Sequence, residues 1–179
     1  MVRYRRNFVP GGTFFFTVAL EDRRSCALVD HIDSLRAAFR ITRSERPFTI
    51  DAVVILPDHL HAIFTLPPDD LDFSGRWRQI KSHFTRHVVA QGLAVERNPK
   101  GEHKLWQRRF WEHTIRDETD FARHFDYVHF NPVKHGLVER VCDWPHSSFH
   151  HYVRSELLPP DWAGTVGGAN KLDFGEPAE

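Results

Sequence analysis

An α+β fold is predicted by three features of the sequence. Short runs rich in aromatic and β-branched residues fall at 13–20, 48–56, 59–66 and 106–115. Longer stretches with helical spacing fall at 27–44, at 73–91 and from 117 onward. Their order is strand, helix, strand, strand, helix, strand. That is the split βαββαβ arrangement of a ferredoxin-like sandwich, with an antiparallel sheet, helices over one of its faces and an additional C-terminal helix that bears Tyr127.

Residues 1–12 are a basic lead-in carrying Arg3, Arg5 and Arg6 before Pro10-Gly11-Gly12. The first strand, 13–20, reads Thr-Phe-Phe-Phe-Thr-Val-Ala-Leu. Leu28, Ile32, Leu35, Phe39 and Thr42 make 27–44 an amphipathic helix, ended by Arg46-Pro47. Strands 48–56 and 59–66 are joined only by Pro57-Asp58, so they must pair antiparallel. The second of them is apolar enough to be central. Trp77, Ile80, Phe84 and Val88 mark the apolar side of helix 73–91, which Gly92 closes. A polar, basic loop at 93–104 leads into strand 106–115. Asp117, Glu118 and Asp120 suit the positive end of the next helix dipole, and Asn131-Pro132 ends or kinks that helix. Residues 1–155 read as one domain. Residues 156–179, with Pro159-Pro160 and Gly167-Gly168, read as a mobile or loosely packed tail.

At 179 residues with 41% hydrophobic and 27% charged content, the chain can bury a core without disulfides. The net charge of +0 hides an asymmetry. Arg76, Arg78, Lys81, Arg86, Arg97, Lys100, Lys104, Arg108 and Arg109 crowd the middle, opposed by Glu96 and Glu102. The last segment is acidic. Cys26 and Cys142 have no metal or redox spacing and fit a reducing compartment. The Phe14-Phe15-Phe16 run is too short for a signal or a membrane span, so a cytoplasmic protein without a membrane partner is expected.

Two groups of residues carry possible chemistry. On a strand, His59 and His61 project from one face and Leu60 from the other. Two imidazoles on one rigid strand suit a divalent metal if a third ligand arrives from elsewhere. The alternative is a pair of polar residues at a strand start. Tyr127 and Asn131 share a helix face at i and i+4, with His124 roughly on it. If that helix packs near the histidines, a phenol and an amide oxygen join them. Alternatively, Tyr127 and His129 simply belong to a core helix.

Residues 56–61, Leu-Pro-Asp-His-Leu-His, match the His-hydrophobic-His motif of the single-tyrosine HUH endonucleases. The stretch Leu-Trp-Gln-Arg-Arg-Phe-Trp-Glu-His at 105–113 resembles the bacterial REP-associated tyrosine transposases. So do Tyr-Val-His-Phe-Asn-Pro-Val-Lys-His-Gly-Leu-Val at 127–138 and Trp-Pro-His-Ser-Ser-Phe at 144–149. Several motifs in the right order, across most of residues 8–153, make the likeness specific.

The resemblance implies an enzyme that cuts and rejoins single-stranded DNA at repetitive extragenic palindromes. It implies Tyr127 as the nucleophile that forms a 5′-phosphotyrosine, and His59, His61 and Asn131 as ligands of Mg²⁺ or Mn²⁺. Asn131 stands where related single-tyrosine transposases commonly carry glutamine, which leaves His129 as a rival third ligand. Arg78, Lys81, Arg86, Lys100, Arg108 and Arg109 become candidates for phosphate contact, and Arg3, Arg5 and Arg6 for a basic arm. Trp106, Trp111, His103 and Tyr4 are candidates for stacking on unpaired bases. The protein would work on the bacterial nucleoid, as a monomer or as a homodimer that exchanges the tyrosine helix. Two rival readings are a hairpin-binding protein that does not cut and a metal-dependent nuclease that uses water. A covalent protein–DNA adduct separates the first reading from both.

Overall fold

A computed structural model describes residues 9–162. The strands are β1 (Thr13–Ala19), β2 (Thr49–Ile55), β3 (His59–Thr65) and β4 (Trp111–Thr114). The helices are α1 (Ala27–Asp30), α2 (Ile32–Glu45), α3 (Phe73–Ala90), α4 (Glu118–Lys134) and α5 (Phe149–Arg154), with a 3-10 turn at Val141–Asp143 before α5. The sheet has the order β2-β3-β1-β4 and every pair is antiparallel, which is the ferredoxin-like order expected. The histidine strand β3 is interior.

Alternation along the strands divides the interior into two layers. Phe14, Phe16 and Val18 of β1 and Leu60, Ala62 and Phe64 of β3 join Leu35, Phe39, Trp77, Ile80 and Phe84 from α2 and α3. Phe15, Ala52, Val54 and Ile63 face the other way and meet Tyr127 and Val128 of α4. The helices therefore cover both faces rather than one: α2 and α3 lie on one side and the tyrosine helix on the other.

Three elements differ from the sequence reading. The single helix expected at 27–44 is interrupted at His31, whose backbone (φ −114°, ψ 37°) leaves the helical region. The strand expected at 106–115 pairs regularly only over Trp111–Thr114. Before it, Trp106 makes an isolated bridge to Leu20, the Lys81 ammonium takes the Gln107 carbonyl at 2.9 Å, and Phe110 turns in beside Phe16, Phe73 and Trp77. Helix α4 runs two residues past Pro132. A proline this late removes one helical hydrogen bond, and the buried position of Asn131 and Pro132 holds the last turn in place.

The 144–149 motif covers the outer edge of β2. Ile55 N donates to His146 O (2.9 Å), Ser148 N donates to Val53 O (2.8 Å), and Trp144 Nε1 donates to Ile55 O (3.0 Å). Beyond α5, Trp162 packs on Phe149 and His129. The remainder of the expected tail, 163–179, lies outside the described residues.

Candidate active site

The turn before β3 is tied down from two sides. Leu20 N donates to Asp58 O (2.8 Å) and Leu28 N to Pro57 O (3.1 Å). The strand therefore begins at a fixed point, and His59 and His61 project together onto the α4 face, both buried. Their rings lie 5.0 Å apart. Each Nδ1 has an oxygen neighbour: Asp58 Oδ1 at 2.8 Å from His59 and Thr17 Oγ1 at 2.9 Å from His61. Asp58 is in turn held by Arg23 Nε at 2.8 Å. Burial raises the Asp58 carboxyl, but the hydrogen bond and charge of His59 and the charge of Arg23 outweigh it and hold the group below the usual carboxylate range. Burial pushes the His59 imidazole down, partly opposed by Asp58.

Helix α4 is capped by Asp117, whose side chain accepts from Asp120 N at 2.8 Å. One stripe of this helix crosses the histidine pair. The Tyr127 ring meets His61 edge-on at 5.1 Å, and the His135 ring meets His59 at 5.2 Å. Positions 127, 131 and 135 are successive turns of one helix face. Asn131, fully buried, therefore lies between two residues that each touch one histidine. His129 is turned elsewhere. Its Nδ1 pairs with Phe125 O at 3.0 Å and its Nε2 with Ser148 Oγ at 2.9 Å, and burial holds its pKa down at about 4.

Side chains that periodicity did not single out complete the surroundings. Phe15 stacks on His61 at 5.5 Å and packs against both His124 and Tyr127. Thr17 and Asp58 orient the histidines. Lys134 Nζ donates to Tyr127 Oη at 3.3 Å and stands 4.8 Å from the centre of that ring. Only a sequence reading that carried the helix through Pro132 could have placed Lys134 and His135 here.

A second polar cluster joins β4 to α4. Asp120 Oδ2 accepts from His113 Nε2 at 2.8 Å and from the Arg116 backbone N and side-chain Nε at 3.1 Å each. His113 also stacks on His124 at 4.6 Å. Burial raises the Asp120 carboxyl, but the His113 and Arg116 hydrogen bonds overcome it and lower the pKa to about 2.

The basic candidates are spread over the molecule. Arg108 and Arg109 are exposed just before β4. The strand register, Ala19 opposite His59 and Thr17 opposite Trp111, puts them at the His59 end of the sheet. Arg78 and Arg86 are exposed on α3, over the opposite face. Lys81, also on α3, is engaged with Gln107 O and lies 5.6 Å from the Trp106 and Phe110 rings. Lys100 is exposed in the turn closed by Gly101. Arg76 is buried and paired with Asp70 at 2.6 Å, so it adds nothing to surface charge. Arg3, Arg5, Arg6 and Tyr4 lie outside the described residues. Trp111 stacks on His113, whereas Trp106 packs on Phe84 and donates to Thr85 Oγ1 at 3.2 Å. His103 makes a bridge to Arg97 within its loop. Among the described residues, no helix is long and apolar enough to cross a membrane.

Residues 13–131 match the family described as Transposase IS200 like. A REP-associated tyrosine transposase of Escherichia coli strain K12 is 49% identical over 166 residues, covering 93% of this chain and 93% of its own length. A solved structure of a REP-associated tyrosine transposase bound to a REP hairpin aligns with a TM-score of 0.87 at 46% identity, covering 100% of this chain and 99% of the other.

Proposed function

The chain belongs to the IS200-like transposase family as a REP-associated tyrosine transposase, and we propose that it cuts and rejoins single-stranded DNA at REP hairpins through a covalent 5′-phosphotyrosine on Tyr127. The observation that carries this reading is the contact of α4 with β3: Tyr127 on His61, His135 on His59 and Asn131 between them.

In this reading the Tyr127 oxygen attacks the scissile phosphorus in line. The new O–P bond forms as the bond to the 3′ oxygen breaks, and a free 3′-hydroxyl leaves. Rejoining reverses the step, with a 3′-hydroxyl as nucleophile and the tyrosine oxygen as leaving group. The phosphodiester energy is kept in the adduct, so no nucleotide cofactor is required. The Tyr127 ring packs against Phe15 and His61, which fixes the direction from which its oxygen attacks.

The donor set fits a divalent ion. His59 is backed by a carboxylate and His61 by a hydroxyl, the second-neighbour pattern that fixes metal-binding imidazoles and directs Nε2 outward. His59, His61 and the Asn131 amide oxygen would hold Mg²⁺ or Mn²⁺, and two nitrogen donors favour Mn²⁺ of the pair. When bound, the ion supplies Lewis-acid polarisation of a non-bridging phosphate oxygen. His129 is a poor third ligand, because both its nitrogens are hydrogen-bonded away from the pair.

Arg108 and Arg109 are the basic candidates best placed to hold the strand near the histidines, with Arg78, Arg86 and Lys100 further out on the hairpin. The site is assembled within one chain, which supports a monomer that uses its own tyrosine. Such work places the protein on the bacterial nucleoid.

The test uses a labelled single-stranded oligonucleotide carrying a REP hairpin and its flank, incubated with Mn²⁺ or with EDTA and resolved on a denaturing gel. A metal-dependent protein–DNA band that vanishes in Tyr127→Phe, with hairpin binding retained, supports the reading. Cleavage that survives in Tyr127→Phe overturns the nucleophile.

A further inference from the structure

We propose that Lys134 is a catalytic residue of the strand-transfer reaction: its ammonium holds the Tyr127 oxygen and meets the scissile phosphate as that oxygen attacks. The proposal rests on Tyr127 being the nucleophile.

The geometry begins with how α4 ends. Leu137 N donates to Pro132 O at 2.9 Å and Gly136 N to Val133 O at 3.0 Å, with Gly136 at φ +65°. This pair of bonds around a left-handed glycine is the Schellman stop. It fixes the last helical turn, where Lys134 stands seven residues after Tyr127. Seven residues are nearly two full turns, so both side chains lie on one face, and helical side chains lean toward the N-terminus. Lys134 thus reaches back along α4 to Tyr127, with Nζ 3.3 Å from Oη and 4.8 Å from the ring centre.

The surroundings give that contact strength. Tyr127 is 1% exposed and rests on Phe15 and His61, so charge near its oxygen is weakly screened. A phosphorus in position for attack lies about 3–3.5 Å from the nucleophilic oxygen. Its non-bridging oxygens then come within hydrogen-bond reach of an ammonium already bonded to that oxygen. Lysine suits the task as a compact point charge with three donors, which can serve the tyrosine and the phosphate together.

The proton count does not involve Lys134. Water that enters with the DNA strand takes the phenol proton and supplies one to the departing 3′ oxygen. In rejoining, the same charge stabilises the phenolate as it leaves. A purely structural cation at a helix C-terminus would complement the dipole and do nothing to the rate.

The experiment measures single-turnover adduct formation by Lys134→Met and Lys134→Arg on the REP-hairpin oligonucleotide with Mn²⁺, beside Tyr127→Phe and hairpin binding by gel shift. Lys134→Met should slow the adduct by about 100-fold, the scale of losing one pre-organised donor. Its hairpin affinity should stay within about twofold of the unmodified protein, since one phosphate contact among many is lost. Lys134→Arg should recover at least about tenfold of that loss, because the charge is kept. A substrate with sulfur in place of the scissile 3′ oxygen should leave the Lys134→Met defect in place, because the lysine does not protonate the leaving group. Normal adduct rates in Lys134→Met, no recovery in Lys134→Arg, or a defect erased by the sulfur substrate would each overturn the assignment. If Tyr127→Phe still forms the adduct, the nucleophile reading falls and Lys134 falls with it. If Tyr127→Phe is dead while Lys134→Met is normal, Lys134 alone is wrong.

Discussion

The two faces of the sheet are made by the same strands and differ by a single residue step. On one, Phe14, Phe16 and Phe64 meet Phe39, Phe73 and Trp77 in a dry aromatic layer. On the other, Thr17, His59, His61, His124, Tyr127 and Asn131 are buried beside Phe15 and Ile63. Burying polar groups costs free energy unless each is hydrogen-bonded. The aromatic layer offsets that cost and leaves the α4 face free to hold chemistry in rigid geometry. Stability and activity should therefore respond separately to substitution.

The largest expected effect is on the α4 face. His61→Ala should reduce metal-dependent adduct formation by about 10³-fold, through loss of transition-state charge stabilisation. Its unfolding midpoint in urea should move little. On the aromatic face the pattern inverts: Phe64→Ala should cost about 3–5 kcal/mol of stability by leaving a cavity, while the folded fraction keeps its rate per molecule. Equal losses of stability from both variants would erase the contrast.

Smaller effects sharpen it. Thr17→Val removes the hydroxyl beside His61 Nδ1 at nearly constant volume. It should weaken Mn²⁺ affinity by about 10- to 100-fold, measurable by calorimetry, because the imidazole loses its orienting partner. Acid acts elsewhere, at the lock between β4 and α4. The Asp120 pKa falls to about 2 in the folded protein, against about 3.9 for an unfolded aspartate. A depressed carboxylate stabilises the fold above its unfolded value, and that stability is lost as pH falls toward 2. The contribution is about 2 kcal/mol, and Asp120→Asn should flatten the stability–pH curve in that window. The smallest expected signal is none at all: in the proposed reading one chain supplies both halves of the site, so mixing Tyr127→Phe with His61→Ala should restore no adduct.

Period-two patterning made the shared face of His59 and His61 legible, and period 3.6 did the same for Tyr127 and Asn131. What escaped was whatever depends on chain segments far apart. Lys134 and His135 were hidden behind Pro132, which by local rules ends a helix, whereas here tertiary burial carries α4 two residues past it. The basic middle was legible as composition but not as surface. Arg76 is paired inside with Asp70, and Lys81 is committed to the Gln107 carbonyl. Thr17 is an ordinary strand residue until β1 lies beside β3. The Trp-Pro-His-Ser-Ser stretch shows neither period, because its job is done by backbone and capping bonds to β2.

That stretch has a consequence for solubility. A sheet with a bare outer strand invites copies of itself to add on, one after another. Here the Val53 carbonyl, the Ile55 amide and carbonyl and the Asp51 carbonyl on β2 are taken by Ser148, His146, Trp144 and Tyr152. The segment serves as a built-in stopper against edge-to-edge polymerisation. A chain cut short after Asp143 would keep every residue of the histidine–tyrosine site and still be expected to aggregate. Its loss of activity would then report on colloidal behaviour and not on catalysis.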